Sequence, residues 1–255
     1  MDYKDLLSGQ KFDNFWSMAR RDLMSNLVRR FLEPGLRDDR QPRILNVGAG
    51  TGEFLESLVK LGKIHVLDKN EDVMDIVPKQ FVDECKVADI KEIPYPSNYF
   101  DVILCFDVLE HVREDREAMV ELHRVLTRDG LLICTVPRFP FIYSSHDRAL
   151  GHQRRYSMDR IINITKVFTH VRIMNWNFSL SIPIAILRLL RRKVKSKEDV
   201  VDFPKPVNLF FYFILRLESI LVPAGILYPF GLTMIAICMK RGKVMSRSRK
   251  RDAWK

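Results

Sequence analysis

Residues 44–58, ILNVGAGTGEFLESL, constrain the fold more than any other stretch of this chain. A short apolar run, a glycine-rich turn and an amphipathic run follow one another there. That order predicts a strand, a tight loop and a helix whose N-terminus faces a ligand. Gly48, Gly50 and Gly52 let the backbone approach a ligand where a Cβ would clash. Unpaired amides of the first helical turn then meet it. Twenty positions after Gly48 stands Asp68, at the end of a second apolar run over residues 64–67. A carboxylate there can accept both hydroxyls of a ribose, so the ligand is expected to contain a nucleoside. Glu53 follows the third glycine directly. It suits an ammonium-bearing amino-acid moiety better than a pyrophosphate, or it is an ordinary first-turn acid favoured by the helix dipole.

Further along come LDKN, VADI around Asp89, FDVILCFDVLEHV over residues 100–112 and RVLTRDGLLICTVP over residues 124–137. With VGAGTGEF, these resemble the ordered motifs of class I S-adenosylmethionine (SAM)-dependent methyltransferases, most of all the small-molecule branch often labelled type 11. The resemblance covers roughly residues 40–140. It implies an α/β, Rossmann-like seven-stranded sheet with an antiparallel last strand and helices on both faces. It also implies that Gly48, Gly50 and Gly52 pass under the methionyl part of SAM and that Asp68 holds the ribose hydroxyls. Asp89 would accept from the adenine amino group, with Ile90 against the ring, and Phe106 and Asp107 would line the pocket near the methionyl end. On the residues alone, Phe106 reads equally as core, Asp107 as a cap for a helix beginning near Leu109, and His111 as a helix residue.

The pattern divides the 255 residues into one domain with an insertion. Residues 12–33 carry helical periodicity through Phe15, Trp16, Met18, Leu23, Leu27, Val28 and Phe31, and Pro34-Gly35 stops it. They form the helical cap of residues 1–40, which the resemblance implies covers the cofactor. The core, residues 41–179, has predicted strands near 43–47, 64–67, 84–87, 100–106 and 130–136. Helices near 52–61, 72–77 and 114–127 alternate with them, which predicts parallel pairing with right-handed crossovers. Residues 167–178 read as a sixth strand and 232–241 as the last strand, within a final core segment of 229–242. Between these lies an apolar helical insertion, residues 180–228, too long for a hairpin loop.

That insertion sets apolar stretches beside Arg188, Arg191, Arg192 and Lys193. Pro223, Gly225, Pro229 and Gly231 interrupt the uncharged run over residues 219–239, and the fold needs its last strand there. Both points argue against a membrane span. A lid or an interfacial, membrane-facing helix pair is expected instead. The four cysteines form no C-x-x-C pair, so neither zinc site, disulfide framework nor other metal site is indicated, and a reducing, cytoplasmic setting is expected. Asp2, Lys4 and Asp5 precede any apolar run, which does not read as a signal peptide. Of the net charge of +10, most lies in the tail. Eight basic residues and one acid occur from Lys240 onward, which leaves 34 basic and 31 acidic residues before it. Residues 243–255 read as a disordered basic extension able to touch anionic lipid or nucleic acid.

The loop after the fifth strand holds His146, Asp147, Arg148, His152, Arg154, Arg155 and Tyr156 within eleven positions. Its pattern, H-D-x-x-x-G-H-x-R-R-Y, resembles a recurring segment in a subset of type 11 methyltransferases. An open α/β sheet presents its substrate side here. SAM already carries an activated methyl group, so alignment and exclusion of water dominate. A hydroxyl acceptor also needs a base, and His146 or His152 suits that task. Arg154 or Arg155, with Tyr156 beside them, would bind the acceptor, an arginine clamping a carboxylate or phosphate. The competing structural reading has Asp147 and the arginines closing the loop with ion pairs.

The sequence therefore predicts a SAM-dependent methyltransferase acting on a small-molecule or lipid-linked acceptor, with oxygen as the acceptor atom. It is expected in the cytoplasm, with peripheral contact at the inner face of an anionic membrane. One alternative is an RNA methyltransferase whose tail holds the nucleic acid. The chain has no N/D-P-P-Y-type tetrapeptide and no RNA-binding module to support it. A second alternative is a non-catalytic, membrane-associated scaffold with a SAM fold. The intact glycine loop, Asp68 and Asp89 argue against that.

Overall fold

A computed structural model describes residues 14–32, 41–50, 52, 54–190 and 203–240. Glu53, the helix stop at Pro34-Gly35, the basic residues 191–193 and the tail over 243–255 lie outside the described residues. Seven segments form strands: β1 (Arg43–Val47), β2 (Lys63–Asp68), β3 (Glu84–Val87), β4 (Phe100–Phe106), β5 (Leu126–Pro137), β6 (His170–Trp176) and β7 (Thr233–Met239). They make one sheet in the order β3-β2-β1-β4-β5-β7-β6. The first five run parallel, and β7 lies antiparallel to both β5 and β6. The seven-stranded, Rossmann-like sheet with an antiparallel last strand is thus the observed fold. β5 begins at Leu126, earlier than its pattern predicts. Its register against β4 shifts between Phe100 and Val102, where Asp129 takes a positive φ of 64°.

Eight helices surround the sheet among the described residues: α1 (Phe15–Leu32), α2 (Leu55–Leu58), α3 (Glu71–Ile76), α4 (Asp115–Val125), α5 (Ser145–Ala149), α6 (Met158–Thr165), α7 (Ser181–Leu190) and α8 (Lys205–Leu221). Alternate strand residues enter two cores. Ile44, Val66, Leu104, Ile133 and Ile235 pack with Leu23 and Leu27 of α1, Leu58 of α2 and Leu215 of α8. Leu45, Leu67, Ile103, Leu132 and Met234 pack on the other face with Met119 and Leu122 of α4 and Ile161 of α6. Burial on both faces explains why the central strands read as near-continuous apolar runs.

Much of the insertion belongs to the first of these layers. Ser219 Oγ in α8 donates to the Ala19 carbonyl of α1 at 2.9 Å and accepts from the Trp176 indole at 3.1 Å. Tyr212 donates to Asp22 at 2.9 Å, and Asn26 donates to the Ser219 carbonyl at 3.0 Å. Trp16 meets Trp176 with ring centroids 5.0 Å apart. Buried Glu218 accepts the backbone N–H groups of Phe178 and Ser179, which ties α8 to the end of β6. The opposite side of α8 stays apolar and exposed, with Phe210 at 61%, Phe213 at 53% and Leu217 at 57%.

This asymmetry is testable by thermal unfolding. Leu215→Ala removes a fully buried side chain and is expected to cost about 2–5 kcal/mol. Leu217→Gln, two positions away on the open face, is expected to stay within about 0.5 kcal/mol of wild type. Equal effects would contradict the packing of α8 on α1.

Candidate active site

The chain order reverses at β1: β2 lies on one side of it and β4 on the other. Loops leaving the carboxyl ends of such strands diverge and open a crevice. Here the crevice is a cavity of about 890 Å³, lined by Gly48, Gly50, Asp68, Asp89, Ile90, Phe106 and Asp107, among others. Gly50 has φ 52°, and a Cβ built there would meet nothing within 4 Å, so a side chain would stand in open space. Gly52 differs: a Cβ there would lie 2.7 Å from Pro78, and it is not part of the lining. Its glycine answers to packing behind the loop. Asp68 accepts from the Asn70 N–H at 2.9 Å and Asp89 from the Lys91 N–H at 2.8 Å. These short turns fix both carboxylates at the cavity rim, beside apolar Ile90 and Phe106. Carboxylates for hydroxyl and amine donors, apolar walls for a ring, and a turn without Cβ together fit a nucleoside-bearing ligand such as SAM.

α1 closes this side through Ser17, Arg20, Arg21 and Met24. Arg20 reaches Asp107 at 2.7 Å, and Thr135 Oγ1 donates to Asp107 at 2.8 Å. Burial opposes the charge on Asp107, but Arg20 and the Thr135 hydrogen bond outweigh it and keep the carboxyl below its usual range. Asp107 sits at φ 55°. It caps no helix: the chain makes a short 3-10 turn over Leu109–His111 with no side-chain cap.

The far end of the cavity is built by the segments after β4 and β5. His111 and His152 both line it, edge to face with ring centroids 4.8 Å apart. His152 Nδ1 lies 3.1 Å from Asp147 Oδ1, which leaves Nε2 as the ring's other nitrogen. Asp147 is fully buried and also meets Arg155 at 2.7 Å, Arg188 of α7 at 3.5 Å and the Ser144 N–H at 2.9 Å. Burial alone would raise its carboxyl. The hydrogen bonds from His152 and Arg155, with the charges of Arg155 and Arg188, hold it well below the usual range instead. Tyr143 donates to the His152 carbonyl at 2.7 Å, and the Gln153 N–H to the Glu110 carbonyl at 2.7 Å. The two loops are therefore stitched together around His152. Buried Glu110 lies beside His111, and burial, reinforced by Asp107, pushes its carboxyl well up.

The other residues singled out in this loop do not line the cavity. Arg154 donates to the Val112 and Arg113 carbonyls at 2.8 and 2.9 Å and lies 3.2 Å from Asp115. Arg155 is spent on Asp147 and on the Arg138 carbonyl. Tyr156 is fully buried, donating toward the Leu109 carbonyl and Asp115, both at 2.9 Å. Here the structural reading of the arginines describes the geometry, and a direct clamp on the acceptor does not. His146 sits on α5, half-buried and outside the lining. Sequence reasoning passed over Glu110, read His111 as a helix residue, and left Arg20 and Arg21 without a role. The only available signal was the spacing of Arg20, Arg21 and Met24 along one helix border. Nothing local ties that border to the strand ends.

A family model for a methyltransferase domain matches residues 45–134, the stretch that builds the glycine turn and the strands around it. Residues 45–134 thus match a methyltransferase domain, and the fold is the one shared by class I SAM-dependent methyltransferases. It is similar to an uncharacterized methyltransferase of Schizosaccharomyces pombe, 30% identical over 137 residues, covering 46% of this chain and 49% of that protein. It is also similar to the ubiquinone/menaquinone biosynthesis C-methyltransferase UbiE of Burkholderia cenocepacia, 29% identical over 97 residues, 34% of this chain and 40% of that one. The chain thus aligns with half or less of the length of these curated relatives. Among solved structures, a SAM-dependent methyltransferase of Thermotoga maritima superposes with a TM-score of 0.55 at 16% identity, over 94% of this chain and 98% of that one. One of Archaeoglobus fulgidus does so with 0.53 at 19%, over 86% and 94%.

In this domain Asp68→Ala is expected to weaken SAM binding by about 1–3 kcal/mol, since ribose hydroxyls lose a charged acceptor. Gly50→Val is expected to abolish it, because a branched side chain is forced to positive φ and into the cavity. Titration calorimetry with SAM measures both. Unchanged affinity in the two variants would contradict this placement of the cofactor.

Proposed function

We propose that this protein transfers the methyl group of SAM to an oxygen of a small, lipid-like acceptor. Gly48, Gly50, Asp68, Asp89, Ile90, Phe106 and Asp107 hold the cofactor in this reading, and bound SAM supplies an activated methyl group. The observation that carries the acceptor chemistry is the Asp147–His152 pair at the far end of the same cavity, 3.1 Å apart. A buried carboxylate on Nδ1 fixes the tautomer and ring orientation of a histidine and leaves Nε2 as a proton acceptor. Bound SAM would supply the methyl group and leave as the neutral thioether, and an acceptor hydroxyl taking that methyl would give its proton to His152 Nε2. His146 is the weaker candidate, because it lies outside the lining. Arg155 acts through Asp147, as a positioning residue. Carbon is the second reading for the acceptor atom, favoured by the likeness to UbiE, which is named as a C-methyltransferase.

The lipid-like acceptor rests on the exposed side of the insertion. Leu209, Phe210, Phe213, Leu217 and Ile220 form an apolar stripe along α8, and Ile226 and Leu227 extend it. Arg216 and Lys205 are the basic residues on that helix, and its single acid, Glu218, is buried. Arg216 also lies 3.8 Å from Asp22 of α1. An apolar stripe on a helix whose own exposed charges are basic fits an anionic lipid surface. Among the described residues no helix is long and apolar enough to cross a membrane, so the contact proposed is peripheral.

Labelled SAM, incubated with lipid, RNA and small-molecule fractions of the host, tests the acceptor class. Label in lipid or small-molecule material is expected, and label confined to RNA would overturn the reading. With that acceptor, His152→Ala should lower turnover by about 10²–10⁴-fold while SAM affinity stays near wild type. Undiminished turnover would remove His152 as the base.

A second measurement concerns the surface. The protein should float with anionic liposomes at low salt and separate from them as salt rises. Each basic residue near the surface contributes about 1 kcal/mol to such binding. Protein that stays entirely in solution at low salt would sink the membrane contact and leave methyl transfer standing.

A further inference from the structure

Three side chains with metal-ligand atoms converge where the loops after β4 and β5 meet, and the methyl-transfer chemistry uses only one of them. Glu110, His111 and His152 each bring a ligand atom to within 4.8 Å of the others. Glu110 is 1% exposed, and its Oε2 is buried without a hydrogen-bond partner among the described residues. A buried carboxylate oxygen left unpaired is costly, so it points to a group outside the polypeptide. The residues are held by backbone: the Gln153 N–H donates to the Glu110 carbonyl at 2.7 Å and the His111 N–H to the Val108 carbonyl at 3.0 Å. Asp147 on His152 Nδ1 is the outer carboxylate that orients ligating histidines and leaves Nε2 to the ion.

We propose that Glu110, His111 and His152 form a site for a divalent transition ion of the zinc type. Two imidazoles and one carboxylate suit zinc, cobalt or ferrous iron, whereas magnesium and calcium prefer all-oxygen shells. Three protein ligands leave a fourth position open, as in sites that hold a substrate or water. Ligands bonded to such an ion at about 2.0–2.2 Å stand roughly 3.4 Å apart in a tetrahedron. Short side-chain rotations would close the observed separations to that value. The consequence rests on the proposed function in one respect. His152 Nε2 has one lone pair, so holding the ion and taking the acceptor's proton exclude each other. Ion occupancy therefore switches off base catalysis by His152.

The probe is Co²⁺, titrated into the full chain after chelator treatment and dialysis, with visible absorption as the readout. A saturable ligand-field band at one ion per chain is expected. His111→Ala and Glu110→Gln should each weaken binding at least tenfold. Asp147→Asn should weaken it by about 10–100-fold, although it supplies no ligand. Calorimetric SAM binding by each variant reports that it is folded. Absence of saturable cobalt binding by wild type, or binding that survives all three substitutions, overturns the site. In the labelled-methyl assay, turnover should fall over the same Zn²⁺ range that fills the site. Turnover that is unchanged or raised at full occupancy overturns the competition with His152. Saturable cobalt binding beside an inactive, metal-free enzyme counts against the proposed function and leaves the ion site intact.

Discussion

The reversal of strand order at β1 is the constraint on which the rest of this molecule depends. From β1 the chain moves outward to β2 and β3, then returns to place β4 on the opposite side. All four strands point their carboxyl ends the same way, so the loops that follow them part and cannot fill the space between them. A cavity results without any residue being cut away. Gly48, Asp68, Asp89 and Asp107 reach it because each lies just beyond a strand end, although they come from segments some sixty residues apart. Gly50 takes a positive φ at the edge of that cavity, where an added Cβ would stand in open space.

Around that cavity, two buried carboxylates organise the segments that the sheet does not control. Asp147 gathers His152, Arg155, Arg188 and the Ser144 backbone. Asp115 gathers Arg160, Arg154 and Tyr156. Burial works against the ionised form of both, and hydrogen bonds from His152 and Arg155 to one and from Arg160 and Tyr156 to the other outweigh it, so both carboxyls lie below their usual range. Removing one partner from such a cluster strands a charge in a dry site, which is far more costly than the cluster's net contribution to stability. Geometric definition follows: the His152 ring is fixed by a group that never touches the cavity.

The N-terminal helix and the insertion are separated by most of the chain, yet they pack as one layer. Ser219 is the hinge of that contact, bonded at once to α1, to its own helix and to the indole at the end of β6. The layer places Arg20 and Met24 on the wall of the cavity and turns Phe210 and Phe213 of α8 outward. α7 sends Arg188 to Asp147, so the insertion also touches the residue that positions His152. Support of the cavity and an apolar outer surface thus belong to the two sides of one helix pair.

The sequence by itself determined the parallel core, its glycine turn and the residues at the strand ends. Each of these is encoded locally, by apolar runs of strand length, by glycines at a turn that needs positive φ, and by acids directly after a strand. The apolar, basic character of the insertion was equally legible. Its attachment to α1 was not, because Ser219 and Ala19 meet across two hundred residues and neither residue type announces a partner. Nor did the loop after β5 reveal its own division of labour. His146, His152, Arg154, Arg155 and Tyr156 look alike as a dense polar motif, and folding turns only His152 into the cavity. The arginines and the tyrosine turn inward because Asp147 and Asp115 are buried there and must be paired. His111 read as an ordinary helix residue and Glu110 drew no reading, and only the return of the chain after β5 brings His152 beside them. Tertiary structure decided these roles because each depends on a charge or ring supplied from a distant segment, which no local pattern can specify.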